Sequence, residues 1–175
     1  MQRINNFTKM KTNKLILFAA IICIAASSAC KKEELQIDKD KDLIKEYLEQ
    51  HNIEAKTRDH IYYVENVVGT GEQCEMGDTV AIKYTISTIK NPDTILDQKT
   101  NIAEQIILPR ALTTNTSVLA GLQVGLPTMK EGGKTTFYIP ATYAYGADTL
   151  KNNETYANLI FDVELCEIIH RDKRH

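Results

Sequence analysis

Residues 159–169 read Leu-Ile-Phe-Asp-Val-Glu-Leu-Cys-Glu-Ile-Ile, and this stretch decides the fold class. Phe161, Val163 and Leu165 fall on one side of an extended chain, with Asp162 and Glu164 on the other. That is the pattern of a strand with one dry face. The same alternation occurs earlier, where Val80, Ile82, Tyr84 and Ile86 interleave with Ala81, Lys83, Thr85 and Ser87. Ile61–Val68 is β-branched and aromatic and is broken by Gly69-Thr70-Gly71; Thr135–Ile139 is a further strand, ended by Pro140.

Working outward, Met76-Gly77-Asp78, Asn91-Pro92-Asp93 and Gly132-Gly133 supply turns. Ile106–Leu108 is a short apolar run before a polar loop at Thr113–Ser117. Val118–Leu126 reads as a short helix with Pro127 behind it, and Ala141–Tyr156 as a long irregular loop. About five strands and one short helix predict an α+β domain, an antiparallel sheet wrapped on a helix. Ahead of it, Asp38–Gln50 carries Leu43, Ile44, Tyr47 and Leu48 as one narrow apolar stripe. This predicts an amphipathic helix capped by Asp38 or Asp40 and ended at His51-Asn52, packed on the domain.

The first thirty residues follow other rules. Arg3, Lys9, Lys11 and Lys14 precede the apolar run Leu15–Ala26, and Ser27-Ser28-Ala29-Cys30 closes it. A basic lead, a short apolar stretch and small residues describe an export signal, too short to span a bilayer, which takes about 20 residues. A cysteine directly after the small residues is the acylation site of bacterial lipoproteins. The expectation is therefore a signal over 1–29, starting at Met1 or Met10, and a lipid on Cys30. Residues 30–60 would form the tether and helix, 61–170 the globular domain and 171–175 a charged tail. Lys31-Lys32-Glu33-Glu34 is a solvated spacer, and acidic residues behind the cysteine resemble the surface-export signals of Bacteroidota lipoproteins.

Four of the 21 Lys and Arg residues lie in the lead, leaving seventeen against 23 acidic residues in the remainder. An acidic domain is a poor nucleic-acid binder. No Gly-x-Ser-x-Gly, phosphate loop or HExxH is present, and the Cys and His residues lack metal-ligand spacing, so neither cofactor nor metal is expected. His51, His60, His170 and His175 read as surface residues. Cys74 and Cys166 admit two readings, a disulfide of an exported protein or two small buried side chains.

Gly77-Asp78-Thr79-Val80 with Tyr84-Thr85, Met129–Lys134, Tyr143-Ala144-Tyr145-Gly146 and Phe161-Asp162-Val163-Glu164-Leu165 occur in an order and spacing that resembles the FKBP-type peptidyl-prolyl isomerases. The resemblance runs from about Ile61 to Ile169. It implies a five- to six-stranded antiparallel half-barrel sheet curled around one short helix, with an apolar pocket between them. By position, Tyr84 would line one wall and Asp97 would be the pocket acid. Tyr145 would hydrogen-bond the substrate, and Phe161 would close the base. Leu96, Val118, Leu119 and Leu122 would complete the pocket, Val118 and Leu119 offering backbone N–H at the helix start. Ile106 is the nearest counterpart of the third-strand aromatic. The resemblance also brings Cys74 near Cys166, where a bond is possible.

The implied activity is isomerisation of X–Pro bonds in exported proteins at the cell envelope, periplasmic or surface-exposed and held to the outer membrane by lipid. The implied partners are proline-containing polypeptides. Three features depart from the family: Leu96 and Leu122 replace aromatics, and the 148–156 loop lacks the usual Ile-Pro-Pro roof. A rival reading is a non-catalytic binding module serving an envelope or motility complex. Taken singly, Tyr84, Leu119, Leu122 and Phe161 are ordinary core residues. Asp97 is the informative one: an acid among apolar neighbours either holds the hairpin through a tyrosine or arginine, or meets substrate, or does both.

Overall fold

The computed structural model describes residues 34–113 and 119–170. The chain divides into two units, Met1–Asp38 and Lys39–His175, and the second contains the sheet. The expected signal, Cys30, Val118 and the 171–175 tail lie outside the described residues.

Helix α1 spans 34–50. Six strands follow: β1 (Lys56–Arg58), β2 (Ile61–Val67), β3 (Thr79–Thr88), β4 (Asp97–Ile107), β5 (Lys134–Ile139) and β6 (Leu159–Ile169). Between β4 and β5 lies α2 (Ala120–Gly125), extended by a 3-10 turn at Leu126–Thr128 that takes Pro127 into its start. The sheet is open, in the order β1-β2-β5-β6-β3-β4, with every pairing antiparallel. β6 runs over the eleven residues its alternation marks out, whereas β1 and most of β4 carry no apolar pattern from which to read them.

Register explains where the core sits. Phe137, Phe161 and Ile86 stand opposite one another across β5, β6 and β3. They form one row of a face that also buries Ile61, Val80, Ile82, Val163 and Leu165. Helix α2 lies directly on this face because two of its positions lack side chains. A Cβ on Gly121 would come within 2.3 Å of Ile139 Cγ2, and one on Gly125 within 2.7 Å of Phe137 Cε1. Leu122 and Val124 then fill the space between helix and sheet.

The neighbouring row, one residue along, faces the other way. Tyr62, Tyr138 and Ile160 align across β2, β5 and β6 and are covered by Ile44 and Leu48 of α1. Complete burial of Ile44 stabilises this docking by roughly 1.5–3 kcal/mol. Two expectations for α1 need correction. Leu43 is 51 % exposed, and its place in the buried stripe is taken by Asp40, i−4 from Ile44. Neither Asp38 nor Asp40 is at the helix start, because residues 34–37 ahead of them are already helical. The Asp40 carboxylate accepts the Thr142 N–H at 3.4 Å, and its carbonyl accepts Asn158 Nδ2 at 3.4 Å.

The disulfide expectation also fails. Both thiols are free; Cys74 is buried in the main core, while Cys166 is only half-buried and outside it. The β3–β6 register skips Cys166, pairing Ala81 with Glu167 and Ile82 with Leu165, so Cys166 is the extra residue of a bulge. Burial, with Asp78 and Glu75 nearby, pushes the Cys74 thiol up to about 12, and it stays protonated. His170 is exposed, as its reading as a surface residue expects, and it has two acidic partners. Its Nδ1 lies 3.0 Å from Asp78 Oδ1 and its Nε2 meets Glu72, fastening the end of β6 to the 72–78 turn. The His60 ring packs on Tyr143, with centroids 5.3 Å apart.

Candidate active site

Tyr84 sits in β3 beside an irregularity. Ile82 pairs with Glu104 of β4 but Tyr84 pairs with Lys99, so four residues of β4 loop out opposite Lys83 alone. The excursion leaves an acid on each side of the tyrosine. The Tyr84 hydroxyl lies 3.2 Å from Asp97 Oδ2 and 3.1 Å from Glu104 Oε2, and donates its single proton to one or the other. Asp97 Oδ1 accepts the Gln98 N–H at 2.9 Å. Burial, then the hydrogen bond to Glu104 and the charge of Asp97, hold the Tyr84 phenol far above its ordinary range. Asp97 itself is exposed rather than enclosed by apolar neighbours. Holding the hairpin through a tyrosine is thus a role it visibly performs.

Beneath Tyr84 lies Phe161, 3 % exposed, with ring centroids 5.3 Å apart and planes at 41°. Leu96 is half-buried against the main core, its N–H donating to the Ile86 carbonyl at 2.8 Å. Leu119 precedes the first turn of α2, and its carbonyl accepts from the N–H groups of Leu122 and Gln123. Leu119 is half-buried on the core and Leu122 is 4 % exposed, part of the apolar layer itself.

The chain reaches Tyr145 through a tight path. A 3-10 turn at Ala141–Tyr143 follows Pro140, and the Gly146 N–H returns to the Ala141 carbonyl at 2.8 Å. Gly146 holds φ +56°, a left-handed conformation that glycine adopts without the steric cost of a Cβ. Tyr145 remains 40 % exposed. Burial of its ring and the charge of Asp97 both raise its pKa, so its hydroxyl stays a hydrogen-bond donor at neutral pH.

The structure therefore gathers Tyr84, Asp97 and Phe161 by direct contact and puts Leu96, Leu119 and Leu122 on the same core. Ile106 also packs there, half-buried. Three participants escape a reading of the sequence. Glu104 sits in a polar stretch with no alternation to mark it as strand. Gln123 is 1 % exposed; its amide donates to the Thr113 carbonyl at 2.8 Å and accepts the Thr113 N–H at 3.0 Å, anchoring the chain as it enters residues 114–118. Leu150 packs on the main core from a loop whose composition is otherwise polar. No nucleophile with an adjacent base belongs to this group of residues. A dry apolar layer beneath phenol hydroxyls and a carboxylate suits binding and conformational chemistry on a peptide.

Fold and site together define an antiparallel sheet wrapped on a short helix, with tyrosine hydroxyls and carboxylates set over the core between them. The family model for FKBP-type peptidyl-prolyl cis-trans isomerase matches residues 70–166, and the chain belongs to that family. Among its relatives, the FKBP-type peptidyl-prolyl cis-trans isomerase FkpA of Escherichia coli is 26 % identical over 148 residues, covering 83 % of this chain and 52 % of the relative. A probable FkpA of Neisseria meningitidis is 32 % identical over 57 % of this chain and 35 % of its own length. The crystal structure of Escherichia coli FkpA superimposes with a TM-score of 0.60 at 27 % identity, over 87 % of this chain and 70 % of that one. A Pseudomonas syringae peptidyl-prolyl isomerase shares the fold, with a TM-score of 0.59 at 23 % identity over 78 % of this chain and 96 % of that one. This chain spans about half or less of the length of the first curated relatives it matches.

Proposed function

We propose that this protein is a peptidyl-prolyl cis-trans isomerase acting on X–Pro bonds of exported proteins, tethered to the cell envelope by lipid on Cys30. The observation that carries the catalytic part is the Tyr84–Asp97–Phe161 group set over the α2 core, with Tyr145 in the field of Asp97. Rotation about an amide meets a barrier of about 18–20 kcal/mol because resonance is lost, and uncatalysed X–Pro exchange takes tens to hundreds of seconds. No bond is made or broken, so the enzyme need only bind the twisted amide better than either planar form. The twisted amide has less charge separation, and the apolar surface of Leu96, Leu119 and Leu122 disfavours it less than the planar forms. Tyr145 donates to a carbonyl of the peptide and holds it there.

In the full chain in detergent micelles, isomerisation of an X–Pro peptide should be faster than the uncatalysed exchange. Tyr145→Phe should lower kcat/KM about tenfold, the value of a hydrogen bond worth roughly 1.4 kcal/mol. Asp97→Ala should lower it by a similar factor through release of Tyr84. No acceleration at micromolar protein defeats the enzymatic reading and leaves a peptide-binding module. The envelope part is supported by the basic lead, the apolar run and the small residues before Cys30. Expressed in a bacterium, the protein should incorporate labelled palmitate and sediment with membranes; Cys30→Ser that still does both would sink the lipid assignment.

A further inference from the structure

Helix α1 lies ahead of the residues that the family model matches, 70–166, yet one of its acids reaches the turn that carries Tyr145. That turn opens with unmet donors. The first N–H groups of any helical turn have no partner inside it, and a polar side chain at the cap position usually accepts one of them. Pro140 holds the cap position of the 3-10 turn Ala141–Tyr143 and makes no such bond. Both donors are met by distant residues instead. The Ala141 N–H goes to Asn158 Oδ1 at 2.9 Å, and the Thr142 N–H goes to Asp40 Oδ2 at 3.4 Å. The two acceptors are themselves joined, Asn158 Nδ2 donating to the Asp40 carbonyl at 3.4 Å.

From there the connection runs straight to the site. Ala141 is fully buried, and its carbonyl accepts the Ala144 N–H at 3.0 Å and the Gly146 N–H at 2.8 Å. Tyr145 lies between those two donors. Asp40 is fully buried as well, and Asn158 nearly so. A carboxylate withdrawn from water costs stability unless donors meet it, so a buried acid on the inner face of α1 needs the contacts it makes here. Without these acceptors the Ala141 and Thr142 N–H groups would have to turn toward water, and the turn would move with Tyr145 on it.

We propose that Asp40 and Asn158 are positioning residues for Tyr145, supplying from outside the cap that its turn lacks, so that helix α1 completes the site. That Tyr145 meets the peptide rests on the isomerase reading; the cap does not. The test uses the full chain in detergent with 13C-labelled tyrosine rings, and follows isomerisation of an X–Pro peptide. Asp40→Ala and Asn158→Ala should each shift the Tyr145 ring signals before peptide is added, and lower kcat/KM about three- to tenfold. Asp40→Asn keeps an accepting oxygen and should restore both readouts. On a Tyr145→Phe background, Asp40→Ala should cost no more than about a further twofold, since the residue it positions has already lost its hydroxyl. Ile44→Ala, one turn along the same helix, loosens α1 without touching the cap; it should leave the Tyr145 signals in place and kcat/KM within about twofold. Asn158→Ala keeps the Asp40 carboxylate, and decides the matter should Asp40→Ala fail to fold. Tyr145 signals that move with the cap variants and not with Ile44→Ala, in a protein that does not accelerate isomerisation, uphold this inference while defeating the enzymatic reading. Signals unmoved by the cap variants, or a loss of activity equally large on the Tyr145→Phe background or in Ile44→Ala, overturn this inference alone.

Discussion

The two faces of the sheet are buried by different means. On one, α2 presses its backbone against β5 through Gly121 and Gly125, and aliphatic side chains with Phe137 and Phe161 fill a layer of close contacts. On the other, α1 covers a row rich in tyrosine: Tyr62 and Tyr138 are buried but keep hydroxyl groups, and Tyr47 stacks on His51 with centroids 4.1 Å apart. Burial, aided by Tyr47 and Asp162, pushes the Tyr138 phenol up to about 12. The first face is inseparable from the fold and from the site above it. The second is a helix docked on a sheet whose ladder is already complete. Close packing tolerates no gap, whereas a docked amphipathic helix can detach as a unit.

The largest effect should come from breaking the first face. Phe137→Ala should cost about 3–5 kcal/mol in urea unfolding and lower the folded population enough to remove peptide binding with it. A loss below about 1 kcal/mol would show that α2 is not packed as described. On the second face, Ile44→Ala should cost about 2–4 kcal/mol, and the readout is regional. Amide exchange should accelerate across residues 39–50 while β3 and β6 keep their protection; uniform acceleration would mean that both faces form one cooperative core. Asp40→Ala should lie between these two faces in consequence. It removes the carboxylate joining α1 to Thr142, at about 1–3 kcal/mol, and should perturb the Tyr145 resonances where Ile44→Ala does not.

The smallest effect should be the clasp at the sheet's far end. Hydrogen bonds to Asp78 and then Glu72 raise the His170 pKa, so its charged form is favoured in the folded state. A raised folded pKa contributes stability that is fully present below the unfolded value of about 6.5 and is lost as pH rises through the folded value. His170→Gln should therefore lower Tm most between about pH 4.5 and 6.5 and have little effect at pH 9. A deficit that grows with pH would show that the ring acts as a neutral group.

How much of this was legible in the residues follows from which faces each segment shows to water. β6 alternates cleanly because neighbours on both edges and α2 above fix its inward side. β4 does not, since it forms one edge of the sheet and its outer positions face solvent. Asp97-Gln98-Lys99-Thr100-Asn101 therefore resembles a loop, and Glu104 went unread with it. Asp40 looked like a cap because acids favour helix starts. Only the arrival of Thr142 and Asn158, about a hundred residues later, gives it a buried role.

Periodicity and turn residues by themselves determined the α+β class, the strand of residues 159–169 and the short helix, while the grouping of Tyr84, Asp97, Tyr145 and Phe161 rested on the resemblance to the FKBP-type isomerases. Class, strand and helix depend on local pattern, and a strand's inward face is written every second residue. The tertiary structure alone decided that Cys74 and Cys166 stay unbridged, that Glu104 joins Tyr84, and that Leu150 reaches the core from a polar loop. Each of these turns on a bulge or on a hydrogen bond between distant segments, and such contacts leave no period in the chain.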